Sequence, residues 1–336
     1  MLTALDIAFI VVNGLSNTVG LLANATVIYC VVWHTPPFMR AYSVLLLNSA
    51  IADLIGCFCA GFIMDRVIPS GVAIAHIDYG PCTAVSACAC SVCYCLMIFT
   101  YAHSIYSYIL CFSYRYVVLI RSPPRPRNVA LTCFLLSLLP WFQFVTFLLD
   151  MAPETEMRQL IKQYHPDYNI DNMTVIGHSS ILHFWTGANT AFVMFMVLPV
   201  YVKKFLKDSR VISGRAKDSH SQLMTVGLVF FEQQELDAKN SIQALTLQAC
   251  LPFFASIAIV LYILEQLDIV QSPLQEHLTY LIIGFMPILS PFPTLIYVKP
   301  YRQFLLSLCR RQPPVRHATA TAYTIGISAN ATSTIE

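Results

Sequence analysis

Seven separate stretches of this chain are long and apolar enough to cross a bilayer, and that constrains the fold more than any single motif. They cover residues 7–33, 42–64, 85–114, 129–149, 181–202, 244–264 and 278–298. A hydrocarbon core takes roughly 20 helical residues to cross. Within it the backbone must satisfy its own hydrogen bonds, and runs of this length are too long for barrel strands, so each is predicted to be a helix. Charge supports the same conclusion. Only 11% of the 336 residues are charged, against roughly a quarter in soluble domains. The opening "MLTALD" has no basic region that would mark a cleaved signal peptide, so the first span is expected to be retained behind a short amino-terminal tail.

Orientation follows from where the bases fall. The amino terminus and the second, fourth and sixth loops hold 0, 1, 2 and 0 Lys and Arg; the first, third and fifth loops and the carboxyl tail hold 1, 4, 7 and 5. By the positive-inside rule the second set is cytoplasmic, which places the amino terminus outside and the carboxyl terminus inside. The sequon at Asn172 then lies in an exofacial loop and is the expected glycosylation site, whereas those at Asn24 and Asn330 are chance matches.

Ionisable residues inside spans mark function because burying them is costly. Asp53 is the one acid in the middle of a span, His103 lies in the third span, and His183 is near the mouth of the fifth. No span carries the lysine a retinal pump requires, and too few His and acidic residues converge for an intramembrane metallohydrolase. No chain of acids and histidines suggests a proton-coupled transporter. No metal, cofactor or nucleic-acid partner is expected, and the chain is not read as an enzyme. Asn24 and Asp53 are read as an interhelical polar clasp, the alternative being a sodium- or proton-sensitive switch at Asp53, with Ala52, Gly56 and Ala60 as a small-residue face for a close neighbour. The third span, rich in Tyr and Ser over residues 101–108, belongs at the centre of the bundle. The twelve cysteines read as small buried hydrophobes. Cys82 stands where many seven-helix receptors anchor a disulfide to the fourth loop, but that loop contains no cysteine.

The stretches "NATVIYCVVWHTPPFMRAYSVLLLNSAIADL", "FSYRYVVLIRSPPRPRN", "ALTLQACLPFF" and "PFPTLIYVKPYR" together resemble the nematode serpentine chemoreceptors of the Str superfamily, most closely the class D (srd) group. The resemblance covers nearly the whole bundle. It implies an all-α, seven-transmembrane receptor in the plasma membrane of sensory-neuron cilia, taking an odorant from outside and acting on a heterotrimeric G protein inside. "SYRY" looks like the counterpart of the acid-Arg-Tyr motif of rhodopsin-like receptors, but residue 114 is Tyr, so the acid that usually pairs Arg115 is missing.

On that reading, ligand-lining residues are expected among Cys90, Tyr94, Trp185, Asn189, Tyr262 and Tyr280, with a small, uncharged or mostly apolar ligand. Arg115, Tyr116, Arg121, Lys203 and Lys204 are the expected coupling surface. Pro252, Pro287, Pro291 and Pro293 are expected hinges. Residues 301–311 read as a short amphipathic helix with Cys309 open to palmitoylation, and 312–336 as a disordered tail. Residues 1–311 form the receptor domain. Between the fifth and sixth spans, residues 223–240 are either a membrane-lying extension or a retained intron. A seven-helix transporter and a non-signalling membrane protein are the alternatives, discriminated by uptake into proteoliposomes and by a second-messenger response.

Overall fold

The computed structural model describes residues 3–71, 73–120, 123–179, 250–267, 269–270 and 272–310, with isolated positions between 180 and 249. The fifth span, residues 223–240 and the tail 312–336 lie outside the described residues, as do Trp185, Asn189, Arg121 and Lys204 and the side chains of Arg115, Tyr116 and Cys309.

Helix α1 spans Ala4–His34. It opens on a reciprocal cap in which the Thr3 hydroxyl accepts from the Asp6 amide while the Asp6 carboxylate accepts from the Thr3 amide. Helix α2 (Arg40–Ile63), α3 (Ala87–Ile120) and α4 (Pro126–Leu149) follow. Later in the chain come α6 (Cys250–Gln266), α7 (Pro273–Leu289), α8 (Pro291–Tyr297) and α9 (Lys299–Arg310), with α5 (Glu154–Tyr164) described below. Among the described residues, five helical segments have the length and composition to cross a membrane, with Cys250–Gln266 a shorter apolar helix.

Helix α3 sits at the centre, as its polar face predicts. It is 61% buried over its apolar window, against 28% for α1 and α4. Its hydroxyl and imidazole groups meet other helices: Asn48 of α2 donates to Ser107 Oγ at 3.2 Å and lies 3.0 Å from His103 Nε2. The small-residue face of α2 makes the expected close approach, since a Cβ at Gly56 would lie 2.8 Å from Thr100 Oγ1 of α3.

Two regions read from the sequence as plain loops are structured. Strands β1 (Asp65–Ser70) and β2 (Ala73–Asp78) form an antiparallel hairpin, to which β3 (Thr174–His178) adds on the β2 edge. The turn uses Gly71 at φ 68°, the left-handed region where a side chain is strained, and a Cβ there would also strike the Tyr164 hydroxyl. Register fixes which residues share a face. Ile68, Ala75, Ile77 and Val175 lie on one side and pack beneath Met157 and Ile161 of the amphipathic helix α5. On the other side lie Asp65, His76, Asp78, Ile176 and His178, and Ile176 joins a core with Tyr94 and Tyr101 of α3. The sheet therefore lies across one end of the bundle. Strands this short and fully buried carry little of the alternation that reveals a strand in sequence.

At the other end, α9 lies against α1: Tyr301 is fully buried and its hydroxyl pairs with Thr35 Oγ1 at 2.7 Å. Three of the four expected hinge prolines fall in or beside one break: Pro287 sits in the last turn of α7, and Pro291 and Pro293 open α8 after Ser290. Pro252 lies in α6, and Pro140 in α4 is a further helix-interior proline that the hinge reading omitted.

Candidate ligand-binding site

The sheet, α3 and α7 converge on a pair of tyrosines. The hydroxyls of Tyr94 and Tyr280 are 2.6 Å apart, and Tyr94 is 1% exposed. The His76 ring, on the bundle-facing side of β2, lies 4.2 Å from the Tyr94 ring and 5.7 Å from that of Tyr280. His178 of β3 completes the aromatic wall at 5.4 Å from Tyr94 and 5.1 Å from Phe147 of α4. Tyr262 of α6 is close enough to interact with Tyr280, and its hydroxyl donates to Gln266 on its own helix at 3.1 Å. Gln266 in turn donates to the Gly71 carbonyl in the hairpin turn. Three of the six expected lining residues, Tyr94, Tyr262 and Tyr280, are thus brought together. Trp185 and Asn189 lie outside the described residues.

Cys90 is different. It is fully buried and disulfide-bonded to Cys82, eight residues earlier. Its place is therefore a structural staple between the 3₁₀ turn Pro81–Ala84 and the first turn of α3. The fourth loop lacks a cysteine, and the staple forms locally instead. Asp78 is close to both sulfurs, but with the thiols joined no thiolate is available to ligate a metal.

The expectation of a mostly apolar ligand rested on the absence of charged residues at the pocket, and that premise does not hold. Asp65 Oδ2 lies 3.4 Å from His76 Nδ1, with both side chains almost wholly buried. Asp65 and Asp78 stand directly opposite one another across β1 and β2, where like charges destabilise a pair. Burial and the neighbouring charges of Asp65 and Glu154 hold the Asp78 carboxyl well above the usual carboxylate range. Sequence reading missed these residues because they were assigned to loops; two acids and a histidine bracketing a short Gly-centred hairpin were the available signal.

A second charged cluster clamps the sheet to the bundle. Arg66 Nε donates to Glu276 Oε2 of α7 at 2.5 Å, and Arg66 also lies 3.9 Å from Asp6 of α1. Asp6 Oδ1 accepts from the Tyr79 hydroxyl at 3.0 Å and lies 3.0 Å from His277 Nε2. Tyr168 donates to Glu276 Oε1 at 2.6 Å while its ring lies 5.0 Å from the Arg66 guanidinium. Burial disfavours the Arg66 charge, but Glu276 and Tyr79 together more than offset this, and the Arg66 pKa rises. Burial likewise pushes the Tyr79 hydroxyl up to about 12.

Deeper in the bundle, Asn24 and Asp53 do join helices, but through other partners than one another. Asn24 Nδ2 donates to the Gly20 and Pro287 carbonyls at 3.0 Å each, so it ties α1 to α7. Asp53 Oδ1 accepts from Ser104 Oγ of α3 at 2.6 Å, and Ser290 flanks the same carboxylate. The seventh span supplies the polar partners that its sequence did not advertise, one of them a main-chain carbonyl in the turn that Pro291 cuts short. At the far end of α3, Tyr114 stacks on Tyr42 of α2 with ring centroids 5.8 Å apart. Helix α3 continues through Arg115 and Tyr116 to Ile120, two turns past the predicted end of the span. Lys203 is an exposed helical residue, as is Asn172 an exposed turn residue.

Membrane-length helices packed around a central polar helix, with a sheet over one end, make a helical membrane bundle. Squid rhodopsin superposes with a TM-score of 0.55 at 12% identity, covering 92% of this chain and 88% of that one, which establishes the shared fold. Among curated proteins, Caenorhabditis elegans serpentine receptor class delta-1 is 27% identical over 296 residues, 86% of this chain and 77% of that protein. Class delta-3 from the same organism is 28% identical over 316 residues, 90% of this chain and 87% of that protein. The model of the serpentine type 7TM GPCR chemoreceptor Srd family matches residues 9–307, and the chain belongs to that family. It is a receptor family, not an enzyme family.

Proposed function

We propose that this chain is a chemosensory G-protein-coupled receptor of the plasma membrane, in sensory cilia, that binds a small molecule beneath the sheet and activates a heterotrimeric G protein at the opposite end. The observation that carries the reading is the meeting of Tyr94, Tyr280 and His76. A ligand there touches the central helix, the seventh span and the sheet at once. An agonist that prefers one arrangement of these elements shifts the population of the whole bundle, and the break at Ser290 lies along α7 between this site and the far end. There Arg115, Tyr116 and Arg121, with Lys203 and Lys204, form the coupling surface. Basic residues at that end also follow from membrane orientation alone, so the assay must separate the two roles. Pro252, Pro287, Pro291 and Pro293 act as hinges, Asn172 carries a glycan on the outside, and Cys309 carries a palmitoyl anchor on the inside.

The test is a second-messenger reporter in cells expressing the full chain, screened with volatile and soluble odorants. An odorant response lost in Arg115→Ala, with surface expression intact, supports the reading. A response that survives that change removes Arg115 from coupling, and uptake of solute by proteoliposomes in place of any response favours a transporter. A glycosidase-sensitive mass shift that disappears in Asn172→Gln fixes the orientation.

A further inference from the structure

The bundle-facing side of the sheet contains a buried carboxylate, Asp65, that no Lys or Arg pairs with among the described residues. Between residues 41 and 114 there is one Lys or Arg, between 128 and 202 there are two, and between 240 and 298 there is none. Each of the three is committed elsewhere. Arg66 pairs with Glu276, Arg158 with Glu154, and Lys162 with Asp171. Asp65 is left with His76 as its ion-pair partner, at 3.4 Å, and the Oδ2 atom has no hydrogen bond. Both His76 nitrogens are also without hydrogen-bond partners although the side chain is fully buried. Leaving such a buried group unsatisfied is destabilising, and more so for a charged one. Asp78, directly across the strand pair, supplies no positive charge.

Beside this carboxylate is a cluster of aromatic rings, reached through its partner His76, whose ring lies 4.2 Å from that of Tyr94. Tyr94 and Tyr280 meet edge to face, with centroids 5.8 Å apart, and His76 lies between them and β1. A carboxylate among aromatic rings is the composition that recognises an organic cation, because the negative ring faces supplement a single formal charge. An anionic ligand would meet the Asp65 carboxylate. A neutral one would leave Asp65 Oδ2 unbonded unless it donated a hydrogen.

We infer that the ligand of this receptor bears a cationic amine, with its N–H groups donated to the Asp65 carboxylate and its alkyl part against the rings of Tyr94 and Tyr280. The inference rests on the reading of this region as the ligand site and narrows it to a class. His76 is a positioning residue that holds the carboxylate and accepts or donates according to its tautomer. A metal ion is the competing cation, but the metal-like cluster among the described residues is Asp78 with Cys82 and Cys90, whose sulfurs are joined.

The experiment uses the full-length receptor in cells with a second-messenger reporter, and the same purified receptor in a thermal-shift assay. Probes are straight-chain primary amines of four to eight carbons, their trimethylammonium analogues, and the matched alcohols and carboxylates, with and without EDTA. At least one ammonium compound is expected to stabilise the receptor, with its matched alcohol at least tenfold weaker. Asp65→Asn is expected to weaken that ammonium at least tenfold, Asp65→Glu to restore part of it, and Asp171→Asn to leave it unchanged. If Asp65→Asn fails to reach the surface, His76→Gln carries the test, with at least a threefold loss expected. Stabilisation by alcohols or carboxylates alone, by no ammonium compound, or by ammonium compounds indifferent to both variants overturns the inference. So does binding abolished by EDTA. A reporter response to an alcohol or carboxylate would leave the receptor reading intact while discarding the cationic ligand.

Discussion

Replacing Arg66 by Met should release the sheet from the bundle, and the structure sets the size of the effect. Glu276 is 2% exposed and, among the described residues, keeps only the Tyr168 hydroxyl once the guanidinium is gone. Breaking a buried ion pair by removing one partner costs about 3–5 kcal/mol, because a charge is stranded out of water. Loss of the Arg66 stack on Tyr168 adds about 0.5–1 kcal/mol. At roughly 2–4 °C per kcal/mol for a chain of this size, the melting temperature should fall by on the order of 10 °C. The assay is thermal unfolding of purified receptor with a thiol-reactive fluorophore, since Cys57, Cys59 and Cys95 are buried and free until the core opens. The companion variant is Glu276→Gln. With the charge removed from both sides, Arg66→Met plus Glu276→Gln should be milder than the sum of the single changes by about 1–3 kcal/mol. A loss under about 1 kcal/mol in Arg66→Met, or strict additivity in the double variant, would refute the claim that this pair clamps the sheet.

Three further outcomes follow from other contacts. Tyr94→Phe or Tyr280→Phe should each cost about 1 kcal/mol by orphaning the opposite hydroxyl, while the double variant should cost no more than one of them, read in the same unfolding assay. The raised Asp78 pKa favours the folded state when the group is protonated: that contribution is full below the ordinary carboxylate value and is lost as pH rises through the raised one. Asp78→Asn should therefore flatten the decline in melting temperature between mildly acidic and neutral pH; an unchanged slope would assign the decline to another group. Cys82→Ser, or reduction, should cost about 2 kcal/mol from the short loop it closes, with thermal unfolding of the serine variant insensitive to reductant if this is the operative disulfide.

Legibility in the sequence varied with the range of the contacts involved. Helical spans were readable because each is decided by its own residues: α1, α2 and α4 begin and end within a few residues of the apolar runs. Tyr94, Tyr262 and Tyr280 were recognisable as lining candidates from their helical positions. Cys90 was not recognisable as half of a disulfide, since a bond across eight residues depends on how the Pro81–Ala84 turn meets α3. Asn24 and Asp53 stand out in the sequence as polar groups in apolar helices. Their partners do not, because a main-chain carbonyl at Pro287 carries no sequence signature.

Taken alone, the sequence determined that the chain lives in a membrane and crosses it as helices. Unsatisfied backbone is prohibitive in lipid, so local composition leaves little choice. It also determined which helix is central, through the tyrosines and serines that only other helices can satisfy. Tertiary structure decided what closes the end of the bundle and with which charges. The sheet exists because β3 arrives from 96 positions beyond β2 to pair with it, and Arg66 finds Glu276 across 210 positions. Contacts that distant are selected by packing in three dimensions, and they turned an apparently uncharged pocket into one bordered by buried carboxylates.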